Sequence, residues 1–391
     1  MRATHLRWIA ASAVLLAGVV GCTTADPEPV PPPPATSAAP TPTVEPVQVT
    51  IAAAGDILPH NPVNRSAIRY AQGSDASYDY RPMFADIAPV LSAADVAICH
   101  LETAISRDNT SLSVPRSLSF NSPRELATAL ADAGYDGCEF ASNHMWDRGL
   151  RGLAATIEVA EEAGLTMAGP RADAATSGEP AMHEVGPATV AHLAYTYTIL
   201  NEWGPSTTVP DDAPWLARSL WPVAGVGGIL KDAKAAREDG ADFVVVSMHW
   251  GTEYVAEPTE DQRRIARELL KSGEVDLILG AHVHVIQPCE TINGRHVIYG
   301  MGNSLSNQSP QTSSSGSLPP ATQEGMIAQV TLRRDAQGVV TSEFTYHPTR
   351  VDLQGHVIRL ATKESHPQTY ARTVATVESL GEGVCDSTPA S

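Results

Sequence analysis

Basic residues are scarce in this 391-residue chain, with 26 lysines and arginines against 44 acids and a formal charge of −18. Residues 1–46 hold only Arg2 and Arg7 against Asp26, Glu28 and Glu45, so nearly all of the acidic excess falls on residues 47–391. A nucleic-acid partner requires clustered Lys and Arg to displace counterions from phosphates, and no such cluster is visible. Aromatic residues are also few, at 5%, which argues against a stacking platform for bases. The five cysteines show no C-x-x-C spacing, which excludes a zinc knuckle of the usual pattern. The apolar run from Trp8 to Gly21 is too short to span a bilayer comfortably and has the length of a signal-peptide core. What is present is a 43% hydrophobic share, enough for one large core or two modest ones.

The N-terminal segments read as an address and a tether. Val19-Val20-Gly21 directly before Cys22 resembles a bacterial lipobox, so residues 1–21 are expected to be a lipoprotein signal peptide. Lipidation of Cys22 would hold the protein on the extracytoplasmic face of the cell membrane. Residues 22–46 contain nine prolines; such a stretch favours extended polyproline II and reads as a tether. The folded domain is expected over 47–391. Export makes disulfides plausible among Cys99, Cys138, Cys289 and Cys385, which allow three pairings. Cys99 and Cys138 each sit in a short apolar run before a candidate site residue, as if on neighbouring strands, which favours 99–138 with 289–385.

From residue 47 the pattern alternates strands and helices, an α/β arrangement. Strands are predicted over 48–54, 95–99, 138–142, 242–248 and 275–279, with further ones near 296–301, 326–332 and 339–346. Phe243-Val244-Val245-Val246 is unbroken, as in a sheet covered on both faces. A helix is predicted to start at Ser122, with Pro123 in its first turn and Glu125 three residues after the cap. Another carries Leu150, Leu153, Ala154 and Ile157 on one face, and a third spans 259–272. Ser304–Thr322 is rich in Ser, Pro and Gln and is expected to be a mobile loop.

Five of the predicted strands run into polar clusters: Asp56 with His60, Glu102, Asn143-His144 with Asp147, His249 with Glu253, and His282-Val283-His284. Ligands in α/β folds sit beyond the carboxyl ends of strands. Singly, each cluster has a plain structural explanation: a helix cap for Asp56, a tight turn for Asn143, a satisfied interior histidine for His249. Jointly, carboxylates, imidazoles and an amide converging on one edge point to a site for borderline divalent ions such as Zn, Mn or Fe.

Gly55-Asp56, Leu101-Glu102, Ser142-Asn143-His144 with Asp147 and Gly149, His249-Trp250-Gly251-x-Glu253-Tyr254, Gly280-x-His282-x-His284 with Gln287, and Gly302-Asn303 together resemble the CapA (poly-γ-glutamate capsule synthesis) family. That family is similar in turn to the calcineurin-like metallophosphoesterases. The resemblance covers about residues 50–305 and implies a four-layer α/β/β/α sandwich with two divalent ions at one sheet edge. It implies that Asp56 and His284 bind one ion, that Asn143, His249 and His282 bind the other, and that Glu102 bridges them. His144 would be the acid beside the leaving group, with Asp147 orienting its ring. Trp250, Glu253, Tyr254, Gln287 and Asn303 would line the substrate pocket. Four positions depart from the pattern. His60 stands four residues after Asp56 where the superfamily has a histidine two after, His100 replaces an Asn, Val283 a Pro, and Ser304 a Phe.

The expected function is a membrane-anchored hydrolase using two ions on an anionic cell-surface polymer or its precursor, cutting an amide or a phosphoester. One alternative is a non-catalytic lipoprotein that binds or tethers polymer during export. A solute-binding lipoprotein, which would need no metal, is the other.

Overall fold

Side-chain alternation along two sheets decides what lies between them and what lies outside. The computed structural model describes Gly21 and residues 44–202, 204–313 and 316–390. Residues 1–20 of the signal segment, Cys22 and most of the tether lie outside the described residues, as does Trp203. The tether's last residues already touch the fold: the Val44 amide donates to the Ala336 carbonyl.

The first sheet begins with β1 (Val47–Leu58), β2 (Val96–Leu101), β3 (Gly137–Glu139) and β4 (Thr166–Ala168), paired in parallel. The second holds β5 (Ala181–Val185), β6 (Ala188–Thr196), β7 (Phe243–His249), β8 (Leu277–Ala281), β9 (Cys289–Ile292) and β10 (Arg295–Ile298). Its order is β5-β6-β7-β8-β10-β9. The chain then returns to the first sheet with β11 (Asn303–Ser306), β12 (Glu324–Arg334), β13 (Val340–Asp352), β14 (Val357–Leu360) and β15 (Ser387–Pro389). That sheet runs β14-β13-β12-β1-β2-β3-β4, with β11 beside β1 and β15 beside β13.

Odd positions of β1 (Val49, Ile51, Ala53) and even positions of β2 (Val96, Ile98) face the second sheet, meeting Val190, Phe243, Val245, Leu277 and Leu279. Their alternates, Ala52, Ala54, Ala97 and Cys99, face outward. There they pack on α1 (Asn61–Tyr70), α2 (Arg81–Phe84), α3 (Ala88–Leu91), α4 (Glu125–Asp132) and α5 (Gly149–Glu162). The outer face of the second sheet is covered by α6 (Trp221–Glu238) and α7 (Glu260–Ser272), with Val244, Val246, Ile265 and Leu269 in that core. The four layers α/β/β/α follow from these three packed interfaces. A last helix, α8 (Pro367–Val377), packs on β12 and β13.

Local chemistry explains several boundaries. The α7 start is a capping box: Thr259 accepts from the Gln262 amide while the Gln262 side chain accepts from the Thr259 amide. The helix predicted from Ser122 instead starts at Glu125, with no side-chain cap. Ser122 pairs by its backbone with Ile105, and its hydroxyl bonds Thr103, while Glu125 accepts from Asn109. Both groups of the expected cap are therefore taken by tertiary partners. The segment expected to be a mobile loop opens with β11, fully buried and parallel to the end of β1. Cys99–Cys138 joins β2 to β3, and Cys289–Cys385 joins β9 to the C-terminal segment.

One irregularity positions the site. The β1/β2 register pairs Ala54 with Cys99 and then Asp56 with His100, leaving Gly55 as an extra residue. This bulge turns Asp56 from the helix-covered face to the face between the sheets. Gly55 is needed there, because a Cβ would lie 1.9 Å from the Gly302 carbonyl oxygen.

Candidate metal centre

The carboxyl ends of β1, β2 and β3 meet those of β7 and β8 at one edge of the sandwich. Asp56 ends the regular part of β1, His100 lies on β2 with Glu102 just beyond it, and Asn143-His144 follow β3. From the second sheet come His249, the last residue of β7, and His282 and His284 beyond β8. All eight are buried. His282 and His284 have φ of 94° and 58°, a left-handed backbone that costs non-glycine residues on the order of 1–3 kcal/mol and that clusters at functional sites.

Asp56 accepts from the His282 amide at 3.3 Å and pairs with His284 Nδ1 at 2.8 Å. Burial would raise the Asp56 carboxyl, but its bond to His284 and the charge there hold it below the usual carboxylate range. On the other side, His249 Nε2 lies 3.0 Å from Asn143 Oδ1, and its Nδ1 lies 3.1 Å from His100 Nε2. Burial pushes the His249 and His282 imidazoles down, with neighbouring histidines adding to the effect, so both are neutral and able to offer a lone pair.

Glu102 sits at the centre. Its oxygens lie 3.9 Å from His249 Nε2, 3.7 Å from His284 Nδ1 and 4.0 Å from His100 Nε2. Neither oxygen has a hydrogen-bond partner, and neither does His282 Nδ1. Burial holds the Glu102 carboxyl well above the usual range. A buried carboxylate without donors is costly unless a charge compensates it. Among the described residues, two sets offer ligand atoms within 4.8 Å of one another: Glu102, His249 and His282; and Asp56, His100 and Glu102. Glu102 belongs to both, as a bridging ligand would. The donor set, mixed carboxylate and imidazole, fits Zn, Mn or Fe better than Ca.

His144 lies at the mouth. Its Nδ1 is 2.9 Å from Asp147 Oδ2, which also accepts from the Phe120 amide, and the Phe120 ring packs edge-on against it at 4.5 Å. The imidazole is thereby oriented through Nδ1. The adjoining cleft is lined by His60, Leu118, Phe120, His144, Tyr197, Glu202, Glu253, Tyr254 and His284 among others, and among the described residues by no Lys or Arg.

Glu253 and Tyr254 thus stand on the cleft wall, whereas three other expected pocket residues are interior. Trp250 is 1% exposed and donates to the Tyr299 carbonyl. Gln287 is fully buried between Gln262 and the Val255 and Glu257 carbonyls. Asn303 is held by Thr322 and Gln308. Their polar groups brace the loops around the histidines. Of the described aromatics between Tyr195 and Trp221, Tyr197 alone lines the cleft, stacked on His249 at 5.7 Å and tilted over His282 at 4.5 Å. Trp215 and Trp221 spend their indole N–H groups on the Arg171 and His249 carbonyls.

Two cluster residues are not evident as site residues from the sequence. His100 stands out only as a departure from the family pattern, and its partner Glu139 not at all. The signal was His100-Leu101-Glu102: positions two apart on a strand share a face, so a histidine and a carboxylate at that spacing point the same way.

Residues 50–308 match the family described as bacterial capsule synthesis protein PGA_cap. The chain is 25% identical over 321 residues to the PGA biosynthesis protein CapA of Bacillus subtilis, covering 80% of this chain and 77% of that one. It is 26% identical over 263 residues to the capsule biosynthesis protein CapA of Bacillus anthracis, covering 67% and 60%. Among solved structures, the calcineurin-like phosphoesterase YfkN of Bacillus subtilis aligns with a TM-score of 0.45 at 14% identity, over 85% of this chain and all of that one. A phosphatase from Mycoplasma pneumoniae aligns at 0.44 and 17% identity, over 77% and 94%.

Proposed function

Because the chain belongs to the bacterial capsule synthesis protein family matched over residues 50–308, we propose that it is a hydrolase using two divalent ions on an anionic cell-surface polymer of the poly-γ-glutamate class. We place it on the extracytoplasmic face of the membrane, anchored through a lipidated Cys22. The observation that carries the reading is Glu102: a fully buried carboxylate with no donor, shared by two sets of ligand atoms. Asp56 and His284 would hold one ion with Glu102, and Asn143, His249 and His282 the other. Bound there, such ions supply Lewis acidity toward a carbonyl or phosphoryl oxygen and make water a nucleophile near neutral pH.

The protein's own groups do the rest. Asp147 fixes the His144 ring so that Nε2 can give a proton to the departing amine or alcohol. Tyr197 and Phe120, both buried, give the cleft an apolar wall, and Tyr254, bonded to Gln308 at 3.3 Å, offers a hydroxyl for orientation. With Glu202 and Glu253 on its wall and no Lys or Arg among its described lining residues, the cleft itself offers an anion no fixed guanidinium or ammonium partner. That supports reception of an anionic substrate through the ions and disfavours binding without them.

The test is metal content by mass spectrometry on the full chain in detergent, beside a His282→Ala/His284→Ala variant. We expect close to two equivalents in the first and loss in the second. Hydrolysis of γ-glutamyl amides and phosphoesters is then followed in His144→Ala. A fall in turnover of about 10²–10⁴-fold with metal retained supports catalysis. Unchanged function in that variant would leave the non-catalytic polymer-binding reading instead.

A further inference from the structure

His100 is the polar group in the cluster that the two-ion assignment leaves without a role. The β2/β3 register pairs Cys99 with Cys138 and His100 with Glu139, and the disulfide ties the two strands directly beneath that second pair. His100 has the parity of Val96 and Ile98, so it faces the second sheet and the cluster. Its Nδ1 is bound by Glu139 Oε1, and Glu139 is itself fixed because Oε2 accepts from the Ala141 amide at 2.8 Å. Nε2 lies 3.1 Å from His249 Nδ1 and also faces Asp56 Oδ1 at 3.8 Å and Glu102 Oε2 at 4.0 Å.

The two carboxylate separations are too long for hydrogen bonds. They are close to the spacing of two ligands on one ion: at metal–ligand lengths of about 2.1 Å and a tetrahedral angle, neighbouring ligand atoms lie about 3.4 Å apart. A carboxylate on the far nitrogen of an imidazole is the usual support of a metal-binding histidine, setting its tautomer and ring orientation. The superfamily's first-motif histidine has no counterpart two residues after Asp56. The nearest, His60, is half-buried on the cleft wall, packs edge-on against Phe120 at 5.3 Å, and belongs to neither ligand set.

We infer that His100, oriented by Glu139, supplies through Nε2 the imidazole ligand that His60 does not, completing the first ion's site with Asp56, Glu102 and His284. The inference rests on the two-ion reading above. In this chain an imidazole from the neighbouring strand takes a coordination position that the superfamily fills from the loop after β1.

The full chain in detergent is stripped with chelator and titrated with Mn²⁺, following bound metal by mass spectrometry and spin coupling by electron paramagnetic resonance. Wild type should bind two equivalents with the spectrum of an exchange-coupled pair. His100→Asn should weaken one equivalent by at least about 10–100-fold, and Glu139→Gln by about 10–100-fold, leaving an uncoupled single-ion spectrum at intermediate Mn²⁺. His60→Ala should leave both equivalents in place. His100→Asn/His249→Asn should lose both, because the two residues serve different ions. If the double variant loses one equivalent only, or His100→Asn keeps both at unchanged affinity, His100 is no ligand. It then only orients His249 across their 3.1 Å contact, and the inference falls while the two-ion reading stands. Wild type that binds no ion overturns both. Pulsed resonance on ¹⁵N-histidine wild type counts coupled imidazoles without mutation, which covers a variant that fails to fold: four support the inference and three oppose it.

Discussion

Glu102 and Glu324 are both buried glutamates at strand ends of the same sheet, at 0% and 1% exposure, and their surroundings are opposite. Glu324 accepts from Thr369 at 2.8 Å and from Arg372 at 2.8 and 3.1 Å, with Arg350 at 3.5 Å. It ties α8 to β12 and is satisfied by the chain alone. Glu102 has two oxygens and no donor, with imidazoles standing 3.7 to 4.0 Å away. Where a buried charge serves the fold, the fold supplies its partner. Where the partner must come from outside, the donors stand back by the width of an ion.

The largest test of this contrast is ligation. Wild type in Mn²⁺ at a thousandfold its dissociation constant should gain about 4 kcal/mol over chelator-treated protein, read as a rise in melting temperature. Glu324→Gln should keep that gain and Glu102→Gln should lose most of it. Next come the signs in chelator. Glu324→Gln breaks a charge-assisted network whose arginines are partly exposed, and should cost about 2–3 kcal/mol by urea melts. Glu102→Gln removes a buried carboxyl that must take up a proton when no ion is bound and should stabilise the ion-free protein by about 1–2 kcal/mol. Equal losses in the two variants would erase the distinction.

A last test, small over any single pH unit, extends the comparison to a buried imidazole. His192 pairs with Ser247 at 2.8 Å through Nε2, and its Nδ1 has no partner. Burial, with the charge of His183 adding, pushes it down to about 3 from an ordinary 6.5. The unfolded chain therefore takes up this proton first. Its neutral form supports the fold above pH 6.5, and that support drains away as pH falls from 6.5 toward 3, by about 1 kcal/mol per pH unit. His192→Gln should flatten the stability profile over that window.

The strand ends were readable because each carries its chemistry locally: Asp56 after an apolar run, Glu102 just past the run at 95–99, His282 and His284 in one short loop. Helix α7 was readable because Thr259 and Gln262 form their cap within four residues. The misread positions depend on distant partners. Ser122 looks like a cap, but Thr103 and Ile105 claim it. Trp250 and Gln287 look like pocket residues beside the most distinctive motif, yet Tyr299 and Gln262 draw them inward. Ser304–Thr322 looks mobile by composition, while its first residues find the open side of β1.

The sequence by itself determined the alternation that makes two sheets with helices outside them, and the set of ligand-type residues gathered at strand ends. Period-two burial and helix caps act over a few residues, so no distant contact is needed to read them. Only the tertiary structure decided the rest: that a bulge at Gly55 turns Asp56 toward the second sheet, that Glu139 stands beside His100, and that Glu102 meets no donor. Each is a relation between strands far apart in the chain, set by register and by close packing across the sheets.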